Sequence, residues 1–159
     1  MRARPATTDD AAAIARIYNE GIEERIATFE TRPRAAADIE KWFDGRHPIV
    51  IIEESGEVIA FASTSMYRPR DAYAGIAEFS VYAARSARGR GAGRAAMLAL
   101  FEAAREAGFW KLVSRVFVEN AASRALLRSV GFREVGIYER HAQLDGIWRD
   151  VVIVEKRLE

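Results

Sequence analysis

Apolar residues fall on two periods along this chain, and the places where one period gives way to the other divide it into elements. Ile14, Ile17 and Tyr18 share one face at helical spacing behind Thr7-Thr8-Asp9-Asp10, a run of helix N-caps. A second helical stretch starts near Gly21 and fades at Thr28. Phe29-Glu30-Thr31-Arg32-Pro33 reads as a loop, because Pro33 pushes its predecessor out of the helical region, and a short helix over 35–43 follows. Ile49–Glu53 and Val58–Met66 are β-rich runs separated by Glu54-Ser55-Gly56-Glu57, which predicts a hairpin. Tyr67–Tyr73 is a polar loop around Pro69, and a strand over Ala77–Ala83 leads into a glycine-rich run. The helix predicted after it, Gly93–Ala107, carries Met97, Leu100, Phe101 and Ala104 as an apolar stripe and ends at Gly108. A strand over Lys111–Val118, a short helix over Ala121–Val130 closed by Gly131-Phe132, and two strands over Glu134–Leu144 and Ile147–Lys156 complete the chain. The last pair is joined by Asp145-Gly146, a strong hairpin signal.

That order contains one β-α-β crossover among hairpins. The predicted fold class is therefore α/β (α+β), a mixed and mostly antiparallel sheet with two central parallel strands, not a doubly wound one. The 159 residues suit one domain with a substantial core. Lys plus Arg number 24 against 23 for Asp plus Glu, a net charge of +1, so no basic stripe argues for nucleic acid or a membrane as partner. The absence of cysteine excludes disulfides, thiolate catalysis and Cys-rich zinc sites. No apolar run approaches the roughly 20 residues that span a bilayer, and the N-terminus does not read as a signal peptide. A cytoplasmic location is the expectation.

The candidate chemistry is concentrated between Arg88 and Arg94, which read Arg-Gly-Arg-Gly-Ala-Gly-Arg between a strand and a helix. Glycines let backbone N–H groups close on a ligand, and the free N–H groups of a helix start favour an anion. Arg85, Arg88, Arg90 and Arg94 add positive charge. The run suits a pyrophosphate cradle, with plain turn geometry as the alternative. It is no P-loop, since no Gly-Lys-Ser or Gly-Lys-Thr follows. Gly91, Gly93 and Ala96 match a dinucleotide fingerprint with Glu119 as ribose acid, but that fold needs consecutive crossovers and this chain has one.

Taken with Asn120 and Gly131-Phe132, the motif Arg88-x-x-Gly91-x-Gly93 resembles the GNAT superfamily of acetyl-CoA-dependent N-acetyltransferases over the whole chain. The resemblance implies splayed parallel strands with the thioester between them, acetyl-CoA as co-substrate and no metal. It implies that Val81, Tyr82 and Ala83 contact the pantetheine arm through their backbone. Arg88, Gly89, Arg90, Gly91, Ala92, Gly93 and Arg94 would surround the phosphates, and Asn120 would reach the coenzyme from the next strand end. A narrower pattern resembles the phosphinothricin and methionine sulfoximine N-acetyltransferase branch: Phe29-x-x-x-Pro33, Arg68-x-Arg70-x-Ala72-Tyr73, Glu78-x-x-Val81-Tyr82 and Trp148-x-Asp150. That branch implies acetylation of the α-amine of a small amino-acid-like acceptor and a homodimer.

The chemistry of these residues is consistent with such roles. An α-ammonium must lose a proton before it attacks, and Glu78 matches the branch's base. Arg68 and Arg70 suit bidentate pairing with an acceptor's oxyanions, Tyr73 offers a hydroxyl, and Phe29 a pocket wall. A backbone N–H near Val81 is placed to stabilise the developing oxyanion. Leu127 stands where many relatives carry a tyrosine and this branch can carry a histidine, so no general acid is assigned. A thiolate leaves tolerably without one, since a free thiol has a pKa of about 8.5. With no cysteine nucleophile, direct attack is expected. Of the two histidines, His47 reads as structural or exposed, and His141 lies in the final hairpin, near where relatives shape the acceptor pocket, with no catalytic role assigned. The alternatives are a GNAT enzyme acting on a peptide N-terminus, a polyamine or an aminoglycoside, and a non-catalytic coenzyme A-binding module.

Overall fold

A computed structural model describes all 159 residues, Met1–Glu159. Seven strands make one sheet: β1 (Arg2–Pro5), β2 (Ile49–Glu54), β3 (Glu57–Met66), β4 (Ile76–Ala83), β5 (Lys111–Phe117), β6 (Arg133–Leu144) and β7 (Ile147–Arg157). Their order is β1-β2-β3-β4-β5-β7-β6, and every neighbouring pair is antiparallel except β4 and β5. Four helices accompany them: α1 (Ala11–Glu24), α2 (Ala36–Glu40), α3 (Ala92–Glu106) and α4 (Ala121–Ser129). The mixed sheet with one crossover is the architecture that the hydrophobic pattern predicts.

The composition of the strands explains the layering. β2 opens with four consecutive buried residues, Ile49 to Ile52, so both faces of the sheet must be covered there. The cover comes from α1 and α3, which both pack on β3 and β4. Along α3 the expected stripe is the buried one, with Met97 and Leu100 fully enclosed. A smaller apolar cluster of Phe117, Leu144 and Val151, flanked by Phe29 and Ile153, lies apart from the main core. Both hairpin turns take two residues at positive φ, Ser55 and Gly56 at 53° and 80°, Asp145 and Gly146 at 52° and 77°. Turns of that twist match the strands they join.

Two expectations change. The separate helical stretch over 21–28 does not form: α1 runs unbroken to Glu24 and stops at Arg25, whose φ of 57° is left-handed. Gly21 is not a helix boundary. It lies inside the helix because a Cβ there would come within 2.7 Å of the Tyr82 ring. The N-terminal residues, read only as no signal peptide, form edge strand β1. Its Arg4 chelates Asp10 through two nitrogens at 2.8 and 2.9 Å, while Thr7 N–H donates to the same carboxylate.

The parallel pair positions the site. β4 and β5 meet only at Ile76↔Lys111, Ala77↔Leu112 and Glu78↔Val113. Beyond Glu78, β4 stays with β3 as far as Ala83, while β5 follows β7 to Phe117. Each strand is therefore held on its outer side only, and the two diverge.

Candidate active site

The divergence opens a cleft of about 700 Å³. β4 from Phe79 to Ala83 forms one wall and β5 from Ser114 to Val116 the other. The segment from Ala87 into the start of α3 closes one end, and Gly21 and Glu24 of α1 lean over it. Past Glu78 the β4 edge that faces β5 has no strand partner, which leaves backbone groups for a ligand. Ser114 Oγ donates to the Phe79 carbonyl at 2.9 Å and satisfies one of them.

The glycine run lies where the sequence requires it. Gly89 and Gly91 have φ of 76° and 84°, a left-handed conformation that side chains other than glycine adopt at a cost. Gly91 caps α3, so the first free N–H groups of that fifteen-residue helix face the cleft. At Gly93 a Cβ would come 3.2 Å from Leu126, which holds α4 close. These features fit a pyrophosphate.

The arginines are less free than their number suggests. Arg88 pairs with Glu24, whose carboxyl it holds below the usual range through a hydrogen bond. Arg85 pairs with Glu23 at 3.2 Å. Arg90 turns to Glu54 at 2.9 Å and does not line the cleft. Arg94 alone of the four has no carboxylate partner; it donates to Ser129 Oγ at 3.0 Å.

Val81, Tyr82 and Ala83 line the cleft. The Tyr82 ring packs against Tyr18 and stacks on Phe61, and burial pushes its phenol well up. Asn120 caps α4 by accepting from Ser123 N–H at 3.1 Å, and its amide donates to the Ile26 carbonyl at 3.3 Å. It thereby ties α4 to the segment after α1.

At the opposite end Arg115 lines the cleft, and the side chains gathered around it, Glu78 included, lie just outside the lining. Glu78 sits at the last rung between the parallel strands and accepts a hydrogen bond from Arg115 Nη2 at 3.0 Å. The other terminal nitrogen of Arg115 lies 3.3 Å from His141 Nε2, and His141 stacks on Tyr138. Phe29 meets Phe117 edge to face at 4.7 Å, which gives it a packing partner. The Arg149 guanidinium lies over the other side of that cluster, 5.5 Å from the Phe117 ring centre and 3.7 Å from Glu119. Leu127, 1% exposed, forms part of the cleft wall.

Arg68 and Arg70 lie on the loop between β3 and β4, at the Glu78 end of β4, and neither lines the cleft. Arg68 stacks on Tyr67, which packs against Tyr73. Asp150 accepts from Arg140 N–H at 2.7 Å and so fixes an irregular stretch of β6. Two residues at this site escape sequence reading, Arg115 and Glu24. The only local signal for Arg115 is a charge set between Val113 and Val116-Phe117 in β5.

A sheet that splits beyond its only parallel rungs, with a glycine-lined helix start at one end and a carboxylate at the other, suits transfer of a group from a pyrophosphate-bearing donor. The sequence profile of the acetyltransferase (GNAT) family matches residues 14–132, and the chain belongs to that family of N-acetyltransferases. It is 33% identical to a methionine sulfoximine and methionine sulfone acetyltransferase of Pseudomonas paraeruginosa, over 98% of this chain and 94% of that one. A phosphinothricin acetyltransferase from Sinorhizobium meliloti, solved with acetyl-CoA, superposes with a TM-score of 0.89 at 29% identity, covering 98% and 87% of the two chains. A ribosomal-protein-alanine N-acetyltransferase from Brucella melitensis superposes with a TM-score of 0.93 at 34% identity over 99% of both.

Proposed function

We propose that this protein acetylates the α-amine of a small amino-acid-like molecule, of the phosphinothricin or methionine sulfoximine type, by direct attack on acetyl-CoA. The observation that carries this reading is the position of Glu78. It stands at the point where β4 and β5 part, on the strand that goes on to form the coenzyme wall.

Bound in the cleft, acetyl-CoA supplies an activated acetyl thioester. The amides of Gly89, Gly91, Ala92 and Gly93, with Arg88 and Arg94, hold its phosphates. Arg90 adds charge from outside the cleft, and Asn120 holds the far side. The open backbone edge of Val81, Tyr82 and Ala83 takes the pantetheine arm. Glu78 accepts one proton from the acceptor's ammonium, directly or through water. The freed nitrogen pair bonds to the acetyl carbon and drives the carbonyl π pair onto oxygen; when that pair returns, the carbon–sulfur bond breaks and its electrons leave with the sulfur. A backbone N–H near Val81 donates to the carbonyl oxygen while it carries negative charge. The second nitrogen proton passes through solvent to the departing thiolate, consistent with an apolar Leu127 at the acid position.

Phe29 walls the acceptor side, while Arg68, Arg70 and Tyr73 on the β3–β4 loop donate to the acceptor's oxygens, those of its phosphinate or sulfoximine included. A homodimer is part of the reading. Ile137, Tyr138 and Trp148 are each more than half exposed on the β6–β7 hairpin, apolar surface for a second copy to cover.

Thiol release from acetyl-CoA, followed with a thiol-reactive dye, tests the proposal without background, since the protein has no cysteine. Acceptor-dependent release with phosphinothricin or methionine sulfoximine is expected. Release only with an alanine-terminated peptide would move the acceptor class, and binding of acetyl-CoA without release to any amine would leave a coenzyme-binding module.

A further inference from the structure

Three cationic side chains line the cleft, and two of them, Arg88 and Arg94, belong to the glycine end. The third, Arg115, is the only one at the Glu78 end. It reaches that place because β5 runs on past the last rung with β4, at Val113, and puts its next side chain on the same face across from Glu78. Its anionic partner is Glu78 alone, at 3.0 Å; its other contact is His141 Nε2, 3.3 Å away. The Arg115 side chain is 49% exposed and that of Glu78 30% exposed. A pair so open to water is weakly held and exchanges readily.

The acceptor of the proposed reaction carries an ammonium and a carboxylate on one carbon. Glu78 and Arg115, in contact with each other, present the complementary base and guanidinium side by side. While Arg115 donates to Glu78, that carboxylate is engaged. A guanidinium binds a free carboxylate in two parallel hydrogen bonds, better than the single one shown here.

We infer that Arg115 is the receptor for the acceptor's carboxylate, and that binding the carboxylate draws Arg115 away from Glu78 and frees the base. The inference rests on the α-amine reading above. It assigns Arg115 two effects, holding the acceptor and making the base available only when a carboxylate-bearing amine is in place. An amine without a carboxylate meets a base still tied to arginine, so selectivity enters kcat as well as KM.

The test compares methionine sulfoximine with its carboxamide, which keeps the amine and removes the charge, in wild type, Arg115→Gln and Arg115→Lys. Comparing variant with wild type cancels the amine's own basicity. In wild type kcat/KM for the acid should exceed that for the carboxamide roughly a hundredfold, shared between KM and kcat. Arg115→Gln should remove most of that ratio, lowering the acid's value and raising the carboxamide's because Glu78 is no longer held. Arg115→Lys, which keeps the charge without the fork, should retain part of it. Calorimetric titration with acetyl-CoA shows whether each variant keeps a folded coenzyme site. A ratio that survives Arg115→Gln, or a parallel fall for both acceptors, overturns the inference. Equal use of acid and carboxamide by wild type overturns it too and leaves the α-amine reading standing. No turnover of either by wild type defeats that reading, and the inference with it.

Discussion

The two ends of the cleft are made in different ways. The glycine end, proposed for the coenzyme, is backbone: glycines at positive φ, a helix start and a strand edge without a partner, nearly all between Val81 and Arg94. The Glu78 end, proposed for the acceptor, is side chains gathered from the segment after α1, β4, β5, and β6 with β7. Backbone sites depend on dihedral angles and tolerate most exchanges that respect them. Side-chain sites depend on how distant strands are registered, and one substitution redraws them. The contrast teaches that a scaffold of this kind can hold its donor constant while its acceptor drifts. Relatives named for different acceptors superpose closely on this chain.

Substitutions at the two ends should break different parameters. The largest effect belongs to Glu78→Gln, expected to lower kcat roughly 100- to 10,000-fold. The dissociation constant for acetyl-CoA should stay within about twofold of wild type, because Glu78 lies outside the coenzyme end. Steady-state kinetics beside calorimetry separates the two, and an unchanged kcat would remove Glu78 as base.

Gly91→Val should act in the opposite sense. A β-branched residue at φ of 84° costs about 1–3 kcal/mol and spoils the α3 cap. Weaker coenzyme binding with little change in acceptor KM is the expected pattern. Asp10→Asn provides a control outside the cleft. Arg4 holds the Asp10 carboxyl below its ordinary value, chiefly through their hydrogen bonds. The stabilisation is therefore present above the unfolded carboxylate range, near pH 4, and is lost as pH falls through the folded value. Melting temperatures from pH 7 to pH 3 should fall less steeply in Asp10→Asn, which starts about 2 kcal/mol less stable at neutral pH. Neither end of the cleft should notice. Asn120→Ala removes the α4 cap, about 1 kcal/mol, and frees the Ile26 carbonyl between the two ends. It should raise coenzyme and acceptor KM together by a few-fold, the smallest of the changes expected at the cleft.

The same contrast decides what could be read from the sequence. The glycine run and the helix it opens were legible because each works through neighbours a few residues away. Most strands were legible from periodicity, and Asp145-Gly146 from its turn chemistry. Arg115 was not, because its partner is 37 residues off and their meeting follows from the parallel register of β4 and β5. Gly21 suggested a helix break, since nothing nearby in the chain announces that Tyr82 will press against it. Strand β1 is four residues of mixed character whose identity comes from pairing with β2. Glu24 is one more acid on a helix until α1 is laid across the glycine loop.

The pairing of Arg85, Arg88 and Arg90 with Glu23, Glu24 and Glu54 bears on which molecules this protein ignores. Four bare guanidiniums around a glycine loop would collect any polyanion, from free nucleotides to RNA, with an affinity falling steeply as salt rises. With most of that charge already answered from within the chain, an incoming anion gains little from attraction at a distance. Entry then depends on filling the oriented amides of the loop and the α3 start, a demand of shape that few phosphorylated molecules in a crowded solution can meet.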